Sequence, residues 1–235
     1  MLTKDDKKRL KSFEKILGYS FRHKEHLKRA LTHKSFANEM KMDPTEHNER
    51  YEFLGDAVLE LAISHLLMER FAQHPEGELS KLRAAVVNEQ QLADLAREIS
   101  LGDFLYLGKG EGATGGRDKP SLLSDAFEAI LGAIYLDRGF GKAFGIVREF
   151  YDDVIDHVGV VGFVRDYKTR LQEEVQGRYK VVPRYKLVRA HGPDHSKIFE
   201  VQVYIQEECL STGSGQSKKA AEQDAARQAL ERLKT

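Results

Sequence analysis

The sequence predicts an all-α N-terminal domain followed by a small C-terminal α+β domain of order α-β-β-β-α, and three observations carry that expectation. Apolar residues recur at helical spacing through the first two thirds of the chain. After His157 the pattern changes to short alternating runs flanked by two helical stretches. The length, 235 residues, exceeds the ~100 to 150 of a typical single domain. The expected domains are residues 1–158 and 164–235, joined by a short stretch containing Gly159 and Gly162.

In the first domain the helical period runs over residues 4–17, 26–32, 46–71, 79–99, 121–136 and 142–157. Residues 107–120 (LGKGEGATGGRDKP), rich in glycine and charge, read as an exposed loop. In the second domain a helix is expected from Asp166 to about Gly177. Strands follow at 184–189, at 198–205, where Phe199, Val201, Val203 and Ile205 share one face, and at 208–213. The last helix spans 217–234, with Ser217 placed to cap it.

Composition is that of a globular protein, 41% hydrophobic and 31% charged. Met1 to Lys11 lacks the apolar stretch of a secretory signal, and no membrane span is expected, so the expected location is cytoplasmic. Cys209 is the only cysteine, which excludes an intramolecular disulfide and any zinc site built on several thiolates. Formal charge balances at 37 basic and 37 acidic residues, but unevenly. Residues 164–235 carry 14 Lys and Arg against 10 Asp and Glu, and the remainder carries 23 against 27. That split suits a basic binding module joined to an acidic one that holds metal cations.

The most informative stretch is residues 48–67, NERYEFLGDAVLELAISHLL. At ~100° per residue, Glu49, Glu52 and Asp56 fall within ~60° of one another, on a helix apolar almost everywhere else and therefore expected to be buried. On position alone, Phe53 reads as core. Burying ionised carboxylates costs several kcal/mol each unless something compensates. The competing reading is that these acids pair with Arg50 or with basic residues elsewhere, or simply form the solvated edge of the helix. A second apolar helix, 121–136, brings Asp125 and Glu128 side by side at i and i+3. Acids from two facing helices make an oxygen-only site suited to Mg²⁺, with Mn²⁺ able to substitute.

Other chemistries fit less well. A diiron carboxylate oxidase needs Glu-x-x-His pairs, and none of the nine histidines lies three residues after a glutamate. Neither HExxH nor CxxC occurs. Gly110, Gly112 and Gly115 match GxGxxG formally, yet no strand precedes them, and they read as a flexible connection rather than a nucleotide site. Hard cations held by carboxylates point to phosphoryl transfer.

Residues 48–59 (NERYEFLGDAVL) resemble the signature of the ribonuclease III family, with Tyr51 in place of the usual Leu. Residues 33–36 (HKSF), 76–83 (EGELSKLR) and 119–132 (KPSLLSDAFEAILG) resemble the same family. The resemblance implies Glu52, Asp56, Asp125 and Glu128 as metal ligands, with Asp56 and Glu128 catalytic and Glu128 most directly coupled to hydrolysis. Glu49 and Glu76 match supporting acids, whereas Glu78 falls at a variable position. It also implies a homodimer in which Phe53 packs into the partner subunit. The implied activity is endonucleolytic cleavage of both strands of double-stranded RNA, leaving 5′-phosphate and 3′-hydroxyl ends with short 3′ overhangs, in processing of ribosomal and messenger RNA precursors. A non-cleaving dimer that only binds duplex RNA is the alternative, and loss of a metal ligand would be its sign. All four are present.

The C-terminal unit resembles a double-stranded-RNA-binding domain through residues 166–173 (DYKTRLQE), 192–195 (GPDH) and 217–226 (SKKAAEQDAA). Such domains read A-form RNA across two minor grooves and the phosphates between them. Gln172 and Glu173 are expected in one minor groove and His195 in the other. Lys218 and Lys219 sit at a helix N-terminus, where cations oppose the macrodipole unless an anion joins them. Where many such domains carry a third basic residue, this chain has Glu222.

Overall fold

The computed structural model describes residues 2–163, 167–193 and 197–233, with the side chains of 157–163 outside the description. The chain divides into two compact units, Met1–His157 and Val158–Thr235. No helix among the described residues is long and apolar enough to cross a membrane.

The first unit is helical: α1 (Lys4–Leu17), α2 (Lys24–Ala30), α3 (Lys34–Glu39), α4 (Glu49–Arg70), α5 (Glu76–Val86), α6 (Glu89–Glu98), α7 (Leu101–Phe104), α8 (Lys109–Ala113), α9 (Pro120–Arg138) and the part of α10 (Phe140–Phe163) up to His157. Thr3 caps α1 in a capping box with Asp6, and Gly18 ends it in the left-handed region at φ 69°.

The single helix expected over 79–99 is two helices. Asn88 takes an extended conformation and its side chain accepts from the Gln91 N–H at 3.0 Å, so a new helix begins there within an unbroken apolar pattern. The HKSF segment is itself helical, with the His33 side chain accepting from the Ser35 N–H at 3.2 Å. The glycine loop contains α8 and is tied to α3: the Gly108 N–H donates to Ser35 Oγ (2.9 Å) and the Lys109 N–H to Glu39 Oε2 (2.7 Å). The backbone of 158–163, expected as a linker, continues α10 despite its two glycines.

Helices α4 and α9 form the centre of this unit. Val58, Leu59, Ala62, Ile63 and Leu66 of one and Ala126, Ala129, Ile130 and Ala133 of the other are buried. They approach closely because each carries a glycine at the crossing. A Cβ on Gly55 would lie 1.8 Å from the carbonyl oxygen of Glu128, and one on Gly132 would lie 2.3 Å from that of Tyr51. The expected burial of α4 holds for one side only, and Phe53, read as core, is 82% exposed, with Leu61 and Met68 exposed beside it. At ~100° per residue these three form one stripe adjoining the acids, so the apolar surface of α4 exceeds what its own unit covers.

The second unit comprises α11 (Tyr167–Tyr179), an antiparallel sheet β1-β2-β3 (Arg184–His191, Ile198–Ile205, Glu208–Gly215) and α12 (Lys218–Leu233). Leu171, Val175, Val203, Ala225, Ala226 and Ala229 make its core. Small residues again permit close packing: a Cβ on Gly213 would lie 2.0 Å from the Ala225 nitrogen, and Ser211 Oγ donates to the Ala225 carbonyl at 2.6 Å.

Gly132→Ala should destabilise the first unit by about 3 kcal/mol, because the added methyl meets backbone that cannot give way. Thermal denaturation followed by circular dichroism checks this; an unchanged melting temperature would show that the crossing tolerates a wider spacing.

Candidate active site and RNA-binding face

The α4–α9 crossing determines where the acids stand. Gly55 lies against the backbone of Glu128, so Glu52 and Asp56, flanking Gly55 on α4, come beside Asp125 and Glu128 on α9. Glu128 carries the largest perturbation of these. Burial, followed by the charges of Asp56, Glu52, Asp125 and Glu60, pushes its carboxyl up to about 8. Glu52 is raised by burial and by Asp125 and Glu49. Asp125 is raised by burial against a weak Ser124 hydrogen bond at 3.4 Å, with Glu89 and Glu49 adding to the shift. The four are electrostatic neighbours without converging: among the described residues, no group of three or more Asp, Glu, His or Cys side chains is drawn together around one point.

Asp137, a buried acid at the end of α9, shows what compensation looks like. Asp137 accepts from the Tyr19 hydroxyl (2.8 Å) and from the backbone N–H groups of Arg22 (3.0 Å) and His23 (2.9 Å). Burial works to raise its pKa, yet these bonds and Arg138 hold it below the usual carboxylate value. Asp137 is a structural carboxylate with its hydrogen bonds made. The shifts of Glu128, Glu52 and Asp125 run the other way, the signature of acids brought together without enough positive charge or enough donors.

Glu49 differs from its neighbours on α4. It is half-exposed, and Lys34 Nζ lies 3.0 Å from its Oε1, which lowers its pKa. Lys34 also draws Glu52 and Asp125 downward, though not enough to offset burial. Along the stripe Glu49 and Asp56 are exposed and Glu52 is half-buried, and Glu49 is the acid that Lys34 compensates. Glu76 is exposed at the start of α5, where it accepts from Ser80 Oγ at 2.6 Å; it is not among the principal charges acting on Glu52, Asp125 or Glu128.

Two neighbours were not evident in the sequence. Lys34 belongs to the HKSF segment, but its reach to Glu49 depends on how α3 packs. Tyr151 of α10 is fully buried, its hydroxyl has no hydrogen-bond partner among the described residues, and burial together with the Glu128 charge raises its pKa. In sequence it is one more aromatic residue at helical spacing.

In the second unit, Gln172 and Glu173 are exposed on α11 while Leu171 and Val175 turn into the core. Lys218 and Lys219 are exposed at the start of α12, where Ser217 Oγ accepts the Ala220 N–H at 3.1 Å as the sequence suggests. His195 lies outside the described residues. Glu222, the departure from a basic residue, pairs with Lys168 of α11 at 2.7 Å.

Comparison with known proteins follows the same division of the chain. The Ribonuclease-III-like family model matches residues 23–154, and the Double-stranded RNA binding motif model matches residues 167–233. Ribonuclease 3 of a Nitratiruptor species is 47% identical over 227 residues, covering 97% of this chain and 98% of that protein. Ribonuclease 3 of Bdellovibrio bacteriovorus is 50% identical over 222 residues, covering 94% of each. A solved nuclease domain of Ribonuclase III from Campylobacter jejuni, described for flexibility in the region involved in dimer formation, aligns with a TM-score of 0.57 at 46% identity. It covers 61% of this chain and 96% of that one. With one family model spanning more than half of the chain and relatives near half identity over nearly all of it, the chain belongs to the ribonuclease III family.

Proposed function

We propose that this protein is an endoribonuclease that hydrolyses phosphodiester bonds in both strands of double-stranded RNA, acting as a cytoplasmic homodimer on ribosomal and messenger RNA precursors. Glu52, Asp56, Asp125 and Glu128 hold Mg²⁺, or Mn²⁺ in its place, with Glu49 and Glu76 as supporting acids. The products carry 5′-phosphate and 3′-hydroxyl ends with short 3′ overhangs, as in the family.

The observation that carries this reading is the uncompensated carboxyl of Glu128, at about 8, beside three further acids. An all-oxygen donor set short of positive charge fits a hard divalent cation, and at Glu128 the charges of Asp56, Glu52 and Asp125 add to the larger effect of burial. The cation, when bound, supplies the positive charge that stabilises the scissile phosphate and eases activation of water. Burial and the neighbouring acids favour the protonated form of Glu128, and a divalent cation held by Glu52, Asp56, Asp125 and Glu128 would favour its carboxylate. Lys34 keeps Glu49 anionic at the rim and limits repulsion against the incoming RNA backbone. The exposed Phe53 stripe on α4 supports the dimer, since it adjoins the acids and would place two sites along one duplex.

Glu128→Gln should bind duplex RNA as the wild type does yet cleave it at least ~10²-fold more slowly with Mg²⁺; a variant cutting at the normal rate would remove Glu128 from the chemistry. The same variant has a pH signature in chelator. The Glu128 carboxyl is raised in the folded state, so its ionisation works against folding progressively as pH rises from 4.5 to about 8. Glu128→Gln should therefore melt above the wild type at pH 8 and match it at pH 5, and a constant difference at both values would contradict the assignment. Phe53→Ala should shift the sedimenting species from dimer toward monomer at micromolar concentration, whereas an unaltered dimer would place the interface elsewhere. In the second unit, Lys218→Ala with Lys219→Ala should weaken duplex binding and flatten its salt dependence by a slope of roughly one to two. An unchanged slope would mean that other residues hold the phosphates.

A further inference from the structure

Two consecutive residues of α12 hold the first turn of α11. Lys168 Nζ donates to Glu222 Oε2 at 2.7 Å, and the Lys168 backbone N–H, one of the donors a helix start leaves unsatisfied, donates to Gln223 Oε1 at 3.1 Å. The Lys168 ammonium also lies 4.6 Å above the ring of Tyr185 on β1, which packs against the core of the unit. Lys168 thus has its charge, its backbone donor and its aromatic support all set by neighbouring elements.

This clamp joins the two helices that carry the RNA contacts proposed above. Gln172 stands one turn beyond Lys168 on α11, and Lys218 and Lys219 stand one turn before Glu222 on α12. Duplex RNA is recognised by shape, so minor-groove and phosphate contacts must be made at a spacing the duplex imposes. Leu171, Val175, Ala225 and Ala229 bury the two helices in one core, but their apolar side chains do not register one exposed face against the other. At the far end of α11 the Arg178 Nη1 donates to the Leu233 carbonyl at 3.0 Å, and Lys168, Glu222 and Gln223 supply the registration at the end that carries Gln172, Lys218 and Lys219.

We propose that Glu222 is a positioning residue for RNA binding: by bracing Lys168 it sets the spacing between the ribose-facing residues of α11 and the phosphate-facing lysines of α12. The proposal rests on the RNA-binding reading above. It reverses the expectation from charge alone. An anion on a phosphate-binding helix should weaken binding, and its neutralisation should strengthen it; a brace predicts the opposite.

The test uses the full chain in chelator, so that RNA is not cut, with a perfectly paired duplex longer than the ~16 bp such a domain spans. Glu222→Gln should bind about three- to fivefold more weakly, the range of a partly exposed ion pair, with an unchanged salt slope because no phosphate contact is lost. Equal or tighter binding would overturn the proposal, as would a slope steepened by a released Lys168 taking a phosphate. The exchange Lys168→Glu with Glu222→Lys keeps the net charge and should recover wild-type affinity at an unchanged salt slope, whereas recovery with a steeper slope would mean that the introduced lysine takes a phosphate and would count against the brace. If Glu222→Gln instead unfolds the unit, as circular dichroism would show, the exchange decides, and an exchange that folds but binds weakly counts against the brace. The variant Lys218→Ala with Lys219→Ala separates the two levels. If it fails to weaken binding, the RNA-binding face itself is misplaced. If it weakens binding while Glu222→Gln strengthens it, only the brace is wrong.

Discussion

The arrangement depends on the contact between α4 and α9, where two glycines let each helix rest on the backbone of the other. A side chain at Gly55 would overlap the carbonyl of Glu128, and one at Gly132 would overlap that of Tyr51. This closeness makes neighbours of acids that belong to different helices. Larger residues at the crossing would force the axes apart, and Glu52 and Asp56 would face Asp125 and Glu128 across a wider gap. The packing of small residues and the electrostatics of the site are thus one constraint, because the same glycines that close the core bring like charges together.

Proximity of this kind opposes stability, and the protein treats the acids of one helix in two ways. At the end of α9, Asp137 receives the Tyr19 hydroxyl and two backbone N–H groups and ties the segment after α1 to the helix. In the middle of α9, Asp125 and Glu128 have no comparable set of donors among the described residues, and their pKa values rise. Hydrogen bonds complete the first arrangement. The second lacks them, and it is this shortfall on which the proposed cation site rests.

The C-terminal unit repeats the use of small residues for another purpose. Gly213 and the alanines of α12 bring helix and sheet into close contact, leaving the polar faces of α11 and α12 directed outward. There the departure at Glu222 acquires a physical account: the carboxylate is paired with Lys168 above the Tyr185 ring and is not an unpaired anion on a cationic face. Position on one helix could not show this, because the partner lies more than fifty residues earlier in the chain.

Periodicity and residue type in the sequence were sufficient for the two-part architecture, the order of the small domain, the Ser217 cap and the acids that the α4–α9 crossing makes neighbours. Those features depend on local spacing, which each segment carries within itself. The break at Asn88, the helices within the HKSF and glycine segments, and the continuation of α10 depended on hydrogen bonds and packing that periodicity does not register. Phe53 shows the limit most clearly: an apolar residue on an apolar helix reads as core, and only the packed structure reveals that its side of α4 has nothing from its own unit to cover it. The distinction between Glu49, paired at the rim, and the half-buried Glu128, without such a partner, was likewise decided in three dimensions, because charge compensation depends on which residues from distant segments come within a few ångströms.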